Sequence, residues 1–400
     1  MGARNLSSLF DKLIPREGTS SLKYDGREQI FGASNIQPMW VADMDFAAPE
    51  AVIRSLTTRA QHPIYGYTTP PDSLFDALIS WMQLRHSWKI EREWIVLMPG
   101  VVASLNMTVL ALTNAGDGIV VQPPVYFPFF SAANNADRRL IENPLILATD
   151  EIGNQQYVIN FEHLEACAKE AKMLLLCSPH NPVGRVWTEL ELRKLLDISK
   201  RNDLIIVADE IHADLVYSDA KHHCLGKLAG ESHQIITAVA PSKTFNIAGL
   251  GLSALIIPDE SHRKSIQSQL NSLGVSVTNP FSLTAFEAAY REGGDWLDNL
   301  MNYLQATRDE ALIYINKHLP RISVTPTQAT FLLWLDCRKS GLTDSELQQF
   351  FIKEAQLGLS PGTLFGKGGE GFMRMNIAAP RANVMAALES LYKAFSDIGH

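Results

Sequence analysis

The sequence predicts an α/β protein whose parallel sheet is covered by helices on both faces, followed by a smaller α+β domain. Strand patterns that are apolar throughout alternate with helix patterns, as is typical of a parallel sheet buried on both faces. From about residue 281 the pattern changes to long helices with short strands between them. Because 400 residues are enough for two domains that share a large core, we expect both parts to be folded domains.

Regular elements are expected along most of the chain. An extended arm with short strands precedes a first helix that begins near Pro49 and a second helix over residues 73–84. We place the large domain at residues 46–285, and the arm (1–45) and the small domain (286–400) on either side of it. The predicted strands cover residues 94–98, 118–122, 173–177, 204–208, 235–239, 253–257, 322–324, 331–335 and 372–376, and further helices cover residues 101–112, 126–134, 189–201, 281–292, 296–318 and 381–395.

Composition excludes several classes of function. A formal net charge of -8 argues against a nucleic acid or an anionic membrane surface as the main partner. Residues 1–18 lack the continuous apolar segment of a secretory signal, and no run approaches the roughly 18 apolar residues of a membrane span. Four cysteines without Cys-x-x-Cys pairing are typical of reduced thiols. We therefore expect a cytoplasmic protein that acts on a small molecule.

A metal site is one hypothesis for the histidines near residue 220. His212, His222, His223 and Cys224 are metal-ligand types, but they lack the tight, repeated spacing of known metal-binding motifs. Solvent-exposed loop residues are the simpler interpretation of His222 and His223. The sequence therefore predicts no metal.

Polar residues follow successive strands of the predicted sheet, at the edge where open α/β sheets bind their ligands. Each has an ordinary explanation when it is taken alone: Lys243 as a surface lysine, Asp209 as a helix cap and Asn181 as part of a turn. Their common position after successive strands favours one shared polar site instead. The segments concerned are Gly100-Val101-Val102, Pro123-Pro124-Val125-Tyr126, residues 178–182, residues 209–212 and Ser242-Lys243.

One chemistry uses this whole set of side chains. A desolvated lysine can form an imine with a carbonyl, and a nearby acid can keep a pyridine nitrogen protonated. An aromatic side chain can stack on the ring, an amide can bind a phenolic oxygen, and the amides of a helix N-terminus can bind a phosphate. Lys243, Asp209, Tyr126 and Asn181 together therefore predict a pyridoxal phosphate site.

The motifs resemble those of a known superfamily. Asn181-Pro182-x-Gly184, Asp209 and Ser242-Lys243 resemble the fold-type I pyridoxal phosphate enzymes, the aspartate aminotransferase superfamily. The resemblance implies the fold of these transferases, with a mostly parallel seven-stranded sheet in the large domain, and a homodimer with shared active sites. Within this superfamily the chain most resembles the MalY/PatB branch of cystathionine β-lyases. This resemblance lies in residues 38–46, Tyr65-Gly66-Tyr67, residues 209–212 and residues 243–250.

The resemblance also implies roles for individual residues. Lys243, Asp209 and Tyr126 are the implied catalytic residues, with Lys243 binding the cofactor covalently and acting as the base. Two departures from the aminotransferase pattern, Ala240 in place of a serine and the absence of arginine from residues 249–252, leave the phosphate contacts open. The further implied contacts are Asn181 and His212 to the ring hydroxyl, Tyr126 stacked on the ring, Asp209 to the pyridine nitrogen, Val101, Val102, Ser242 and the neighbouring subunit's Tyr65 to the phosphate, and Arg374 to the substrate carboxylate.

The resemblance implies α,β-elimination from L-cystathionine or a related cysteine S-conjugate, which releases a thiol, pyruvate and ammonia. The residues alone indicate only removal of the Cα proton, so transfer of an amino group from an amino acid to a 2-oxo acid is the alternative. A regulatory protein that binds the cofactor is disfavoured by the complete set of site residues. A nicotinamide dehydrogenase is disfavoured because no Gly-x-Gly-x-x-Gly motif follows an early strand.

Overall fold

The computed structural model describes residues 7–149, 153 and 155–397. Its strands form a seven-stranded sheet, a four-stranded sheet and two two-stranded pairs. The strands are β1 Gln37–Pro38, β2 Ile95–Met98, β3 Gly118–Val121, β4 Arg139–Glu142, β5 Ile146–Thr149, β6 Gln155–Val158, β7 Met173–Cys177, β8 Ile205–Asp209, β9 Ile235–Val239, β10 Ser253–Ile256, β11 Ser323–Val324, β12 Leu332–Asp336, β13 Leu357–Gly358, β14 Ser360–Pro361 and β15 Phe372–Asn376.

The seven-stranded sheet is mostly parallel, which confirms the predicted α/β fold class. Its strand order is β2-β10-β9-β8-β7-β3-β4. The strands from β9 to β4 run parallel in that order, and β10 runs antiparallel to both β2 and β9. Every residue of β3, β7, β8, β9 and β10 is buried, as expected of a sheet covered on both faces.

Helices begin and end where the sequence gives capping signals. The helix Glu189–Asn202 begins with a capping box formed by Thr188 and Glu191, and it ends at Asp203 in the left-handed conformation (φ 50°). None of the described helices is long and apolar enough to cross a membrane. The α-helices are Ser7–Phe10, Leu22–Asp25, Arg27–Phe31, Glu50–Gln61, Asp72–His86, Val101–Leu112, Pro128–Asn134, Phe161–Ala168, Glu189–Asn202, Leu225–Ala229, Pro241–Thr244, Glu260–Ser272, Pro280–Glu292, Gly294–His318, Asp344–Lys353 and Arg381–Asp397.

The four-stranded sheet is antiparallel, with the order β11-β12-β15-β14, and lies in the C-terminal part of the chain. Trp334 of β12 stacks on Phe372 of β15 with ring centroids 5.0 Å apart. Buried residues of the helices Gly294–His318 and Arg381–Asp397 share one hydrophobic core with this sheet. This α+β arrangement agrees with the expected character of the C-terminal part, while the limits of the two domains stay a prediction.

The predicted secondary structure differs from the structure in two places. The arm contains a short strand, β1, which pairs with β13, but it is not extended throughout, because residues 22–31 form two short helices. The first six residues of the arm lie outside the described residues. The sequence pattern also does not predict β4, because this edge strand has exposed Arg139 and Glu142 at its ends and half-buried residues between them, instead of being apolar throughout.

A buried ion cluster fixes the arm to the segment that follows it. The Lys23 side chain is 1 % exposed, and its Nζ lies 3.0 Å from Asp45 Oδ2. Arg16 contacts Asp43 and Asp45 at 2.7 and 2.8 Å. Because loss of one partner would leave a buried charge unpaired, these contacts hold the short arm helices in place.

Candidate active site

The carboxyl ends of β7, β8 and β9 bring three of the predicted site residues together. Cys177, Asp209 and Ala238 are neighbours in the register of these strands. Asn181 lies just after β7, and Lys243 lies just after β9. Asp209, the last residue of the central strand, is therefore flanked by the segments that carry the amide and the amine.

Lys243 lies on the short helix Pro241–Thr244, which begins directly after Ala240. Its Nζ donates a hydrogen bond to the backbone oxygen of Ala42 at 2.7 Å. Burial, helped by the positive charge of Arg374, lowers the pKa of Lys243 from 10.5 to about 8. Near pH 7, a much larger fraction of this amine is therefore neutral and nucleophilic than in an ordinary lysine.

Asp209 and His212 lie close to this amine and are both buried. Asp209 Oδ1 accepts a hydrogen bond from the backbone N–H of Ile211 at 3.1 Å, and burial raises the pKa of the Asp209 carboxyl to about 7. Burial, together with the charges of Lys243 and Arg374, lowers the pKa of His212 to about 3. The imidazole is therefore neutral at physiological pH, and its Nδ1 has no hydrogen-bond partner among the described residues.

Arg374 of β15 reaches the same pocket from the other sheet. Its guanidinium donates hydrogen bonds to Asn181 Oδ1 at 3.1 Å, to the Trp40 carbonyl at 2.9 Å and to Ser360 Oγ at 3.3 Å. Burial lowers the pKa of Arg374 to about 10, so the group stays positively charged at neutral pH. These contacts fix the plane of the guanidinium, and its Nε has no partner in the described part of the chain.

Tyr126 is half-buried beside these residues. Its backbone N–H donates to the Asn181 carbonyl at 3.2 Å. Burial raises the pKa of the phenol, the charge of Arg374 opposes this shift and the charge of Asp209 adds to it. Tyr126 therefore shares one electrostatic environment with both groups, and its hydroxyl is neutral.

Three of the predicted phosphate contacts lie at the beginnings of two helices, Val101–Leu112 and Pro241–Thr244. Val101 and Val102 are the first residues of the helix Val101–Leu112, where backbone N–H groups have no partner within the helix. Gly100 precedes them with φ 126°, a conformation that glycine adopts without steric cost. Val101 is buried, Val102 is exposed and Ser242 is half-buried. Phosphate binding by these residues stays a prediction.

Within one chain, Tyr65 lies apart from the other predicted site residues. It lies between the helices Glu50–Gln61 and Asp72–His86, is 56 % exposed, and its hydroxyl donates to the Ala60 carbonyl at 2.7 Å. Ile64 and Tyr67 on the same loop are also exposed. An exposed apolar loop of this kind suits contact with a second copy of the chain.

Residues 40–46 form one wall of the site, and two asparagines hold this segment. Asn376 donates to the carbonyls of Val41 and Asp43 at 2.6 and 2.7 Å. Asn246 donates to the carbonyls of Met44 and Phe46 at 3.0 and 2.8 Å. Neither residue has a predicted role, although Asn376 follows Arg374 by two positions and so shares its side of β15.

The structure separates His212 from His222, two of the residues of metal-ligand type. His212 faces the Lys243 pocket, whereas the His222 side chain is 4 % exposed and its Nε2 lies 3.0 Å from Glu210 Oε2. The interpretation of His222 as a solvent-exposed loop residue is therefore wrong, because a buried carboxylate holds it inside. Cys224 is also buried, and burial and the Glu210 charge raise the pKa of its thiol well above 9.0.

The chain is similar in sequence and in fold to several known proteins. Residues 40–391 match the family model for aminotransferase class I and II. The chain is 43 % identical to cystathionine beta-lyase PatB of Bacillus subtilis over 390 residues, which cover 97 % of this chain and 100 % of that protein. Cystalysin from Treponema denticola, which contains a pyridoxal 5'-phosphate cofactor, has a TM-score of 0.92 and 35 % identity over 97 % of this chain and 99 % of that chain. The pyridoxal phosphate-bound C-S lyase from Staphylococcus hominis has a TM-score of 0.89 and 32 % identity over 98 % and 100 % of the two chains.

Replacing Asn376 by alanine should destabilise the protein by about 2–4 kcal/mol, because two carbonyls of residues 40–46 lose their donors. Equilibrium urea unfolding measures the change. Asn299→Ala is the matched control, since the Asn299 amide donates only to the Asp295 carbonyl of its own exposed helix turn and should change the free energy of unfolding by less than about 0.5 kcal/mol. Equal effects of the two substitutions would show that Asn376 does not anchor the segment.

Proposed function

The chain belongs to the aminotransferase class I and II family and is a pyridoxal phosphate-dependent carbon-sulfur β-lyase, and from this premise we propose that Lys243, Asp209 and Arg374 carry out its reaction. The substrates are L-cystathionine or a related cysteine S-conjugate and one water molecule, which hydrolyses the C3 fragment left after the thiol departs, and the products are a thiol, pyruvate and ammonia. The observation that supports this assignment most directly is the buried Lys243 amine beside Asp209 and Arg374, with its pKa lowered to about 8.

The residues present fit the cofactor. Asp209 is a buried carboxylate whose raised pKa suits a proton shared with a pyridine nitrogen. His212 Nδ1 is a buried polar atom without a partner among the described residues, and it can bind the ring hydroxyl together with the amide of Asn181. Tyr126 offers an aromatic face beside them, and the amides of Val101 and Val102, with Ser242, offer donors for the phosphate.

When bound, pyridoxal phosphate supplies an electron sink that stabilises negative charge at the substrate Cα. Lys243 would hold the cofactor covalently, and its amine, when free, would accept the Cα proton of the substrate. Its lowered pKa keeps the amine neutral enough to act as this base. Asp209 would keep the pyridine nitrogen protonated, because a buried carboxylate gains most from a cation in direct contact.

Arg374 binds the α-carboxylate of the substrate in this proposal. A guanidinium binds a carboxylate through two parallel hydrogen bonds and stays charged when it is buried. Its contacts with Asn181, Ser360 and the Trp40 carbonyl set its orientation before the substrate arrives. The Cα proton is thereby presented to Lys243, and the sulfur on Cβ leaves once the proton has been removed.

L-cystathionine supplied without any 2-oxo acid should give steady, multiple-turnover release of pyruvate from the purified holoenzyme. Lys243→Ala should lower the rate about 100-fold or more, because both the covalent attachment and the base are lost, and should also remove the visible absorbance of the lysine-bound cofactor. Lys264→Ala, which changes an exposed lysine of another helix, is the control and should leave both unchanged.

Strict dependence of turnover on an added 2-oxo acid, with amino transfer to it, would instead assign the chain to amino transfer. Full activity of Lys243→Ala would contradict the proposed role of this residue while leaving the lyase activity itself standing.

The rate at which the cofactor-free protein captures pyridoxal phosphate should rise with pH and level off above about pH 8, because only the neutral Lys243 amine reacts. Arg374→Gln removes a positive charge that lowers the pKa of Lys243, so the break in the profile should move to higher pH. Stopped-flow absorbance at a series of pH values measures it. Arg193→Gln neutralises an exposed arginine on another helix and should leave the break unchanged. A break near pH 10 in the unmodified protein would contradict the buried state of the amine.

We further propose that the functional unit is a homodimer in which Tyr65 reaches the phosphate site of the neighbouring subunit. The exposed Tyr65 loop supports this proposal, since its apolar side chains contact water in the single chain. A cytoplasmic location is proposed as well. Cys167, Cys177, Cys224 and Cys337 are buried and free, as in proteins of a reducing compartment.

A purified hybrid of one Lys243→Ala subunit and one Tyr65→Ala subunit should have about half of the wild-type activity, because one of its two sites is then intact. The Lys243→Ala homodimer should be nearly inactive, and the Tyr65→Ala homodimer should have clearly reduced activity. Co-expression with two different affinity tags provides the hybrid, and pyruvate release measures its activity. A hybrid no more active than the mean of its parents would contradict the sharing of sites between subunits.

A further inference from the structure

A second cluster of ligand-type side chains lies one residue beyond Asp209, outside the proposed cofactor site. The ligand atoms of Glu210, His222 and Cys224 lie within 4.8 Å of one another. All three side chains are buried. We propose that they bind one Zn²⁺ ion, or another divalent transition metal ion that prefers sulfur and nitrogen ligands.

The three donors are the types that Zn²⁺ takes in proteins: a cysteine sulfur, a histidine nitrogen and a carboxylate oxygen. Ligand atoms placed tetrahedrally around one zinc ion at its usual bond lengths lie roughly 3.3–3.8 Å apart. Glu210 Oε2 and His222 Nε2 are 3.0 Å apart, and the other pairs lie within the 4.8 Å limit. Side-chain movements of up to about 1 Å therefore suffice to bring the three ligand atoms to zinc-binding distances.

A fourth ligand can come from solvent. His222 and Cys224 line a cavity of about 600 Å³ that also includes His86 and Asp214. His86 Nε2 lies 2.9 Å from Asp214 Oδ1, so this ring nitrogen is not available to the ion. Three protein ligands with one water molecule are the arrangement of an open zinc site.

The charges of the site also balance. On binding, the thiol of Cys224 loses its proton to solvent as the sulfur–metal bond forms, and the two positive charges of the ion are matched by the thiolate and the Glu210 carboxylate. His222 contributes a neutral imidazole. In this structure the Glu210 carboxylate contacts the His222 ring and accepts a hydrogen bond from the backbone N–H of Leu225, at 3.0 and 2.8 Å.

The ion would join two parts of the chain. The backbone N–H of Glu210 donates to the Ala238 carbonyl at the end of β9, so Glu210 belongs to the sheet. His222 and Cys224 lie in the loop that leads to the helix Leu225–Ala229. Because the three ligands meet only in the folded chain, metal binding should stabilise the native state.

Zinc binding to the holoenzyme tests this proposal directly. Protein treated with a chelator and dialysed, with its pyridoxal phosphate retained, is titrated with Zn²⁺ in competition with a chromophoric chelator. We expect one high-affinity Zn²⁺ per chain and a higher melting temperature on loading. Loss of a residue that only supports a metal ligand typically weakens metal binding roughly 10–100-fold. Cys224→Ser and Glu210→Gln each change a direct ligand and should therefore weaken Zn²⁺ binding at least as much.

Cys337→Ser is the matched control, because Cys337 is equally buried but lies in another part of the fold. It should keep both the affinity and the rise in melting temperature. Co²⁺ in place of Zn²⁺ should give the visible bands of a tetrahedral site with a thiolate ligand, which Cys224→Ser should abolish. If Cys224→Ser does not fold, His222→Gln provides the same comparison.

Less than one tightly bound Zn²⁺ per chain would overturn the proposal. Equal affinity in Cys224→Ser and Cys337→Ser would do so as well, since the ion would then bind elsewhere. Both outcomes leave the proposed lyase function untouched, because no step of it uses this cluster.

Discussion

Exclusion of water from the carboxyl ends of β7, β8 and β9 is the constraint on which the chemistry of this protein depends. Residues 40–46 cover this edge of the sheet, and the Ala42 carbonyl contacts Lys243 directly. Asn246 and Asn376 hold that segment from the large and the C-terminal parts of the chain. The segment thus makes burial the largest cause of the pKa shift of Lys243.

The same burial acts in opposite directions on acids and bases. It raises the pKa of Asp209 to about 7 and lowers that of Lys243 to about 8, so two groups that normally differ by more than six units both titrate near neutral pH. Arg374 remains a cation and His212 remains neutral. Burial therefore gives one pocket a base that titrates near neutral pH and a carboxyl that can share a proton, while Arg374 keeps the charge that binds a carboxylate.

The sequence predicts those features that depend on local pattern. Buried strands such as β7 and β8 are apolar throughout, and Asp209 and Lys243 follow such strands directly. The features that the sequence does not predict depend on contacts between distant residues. The Asn376 side chain meets the carbonyl of a residue 335 positions away, and the burial of His222 depends on Glu210, whose contact no periodicity in the sequence indicates. The edge strand β4 lacks an apolar run because Arg139 and Glu142 at its ends are exposed, which depends on its place in the folded sheet.

Asp209 and Glu210 show how one strand end can serve two separate sites. Successive residues of a strand point to opposite sides, so Asp209 faces the Lys243 pocket and Glu210 faces His222. A shift of one residue in the register of β8 would exchange the two carboxylates and destroy both clusters. The backbone hydrogen bonds of β8 to β7 and β9 on either side prevent such a shift. An ion bound at Glu210 would therefore reinforce the register that places Asp209, and its effect on the reaction would come through the position of that carboxylate.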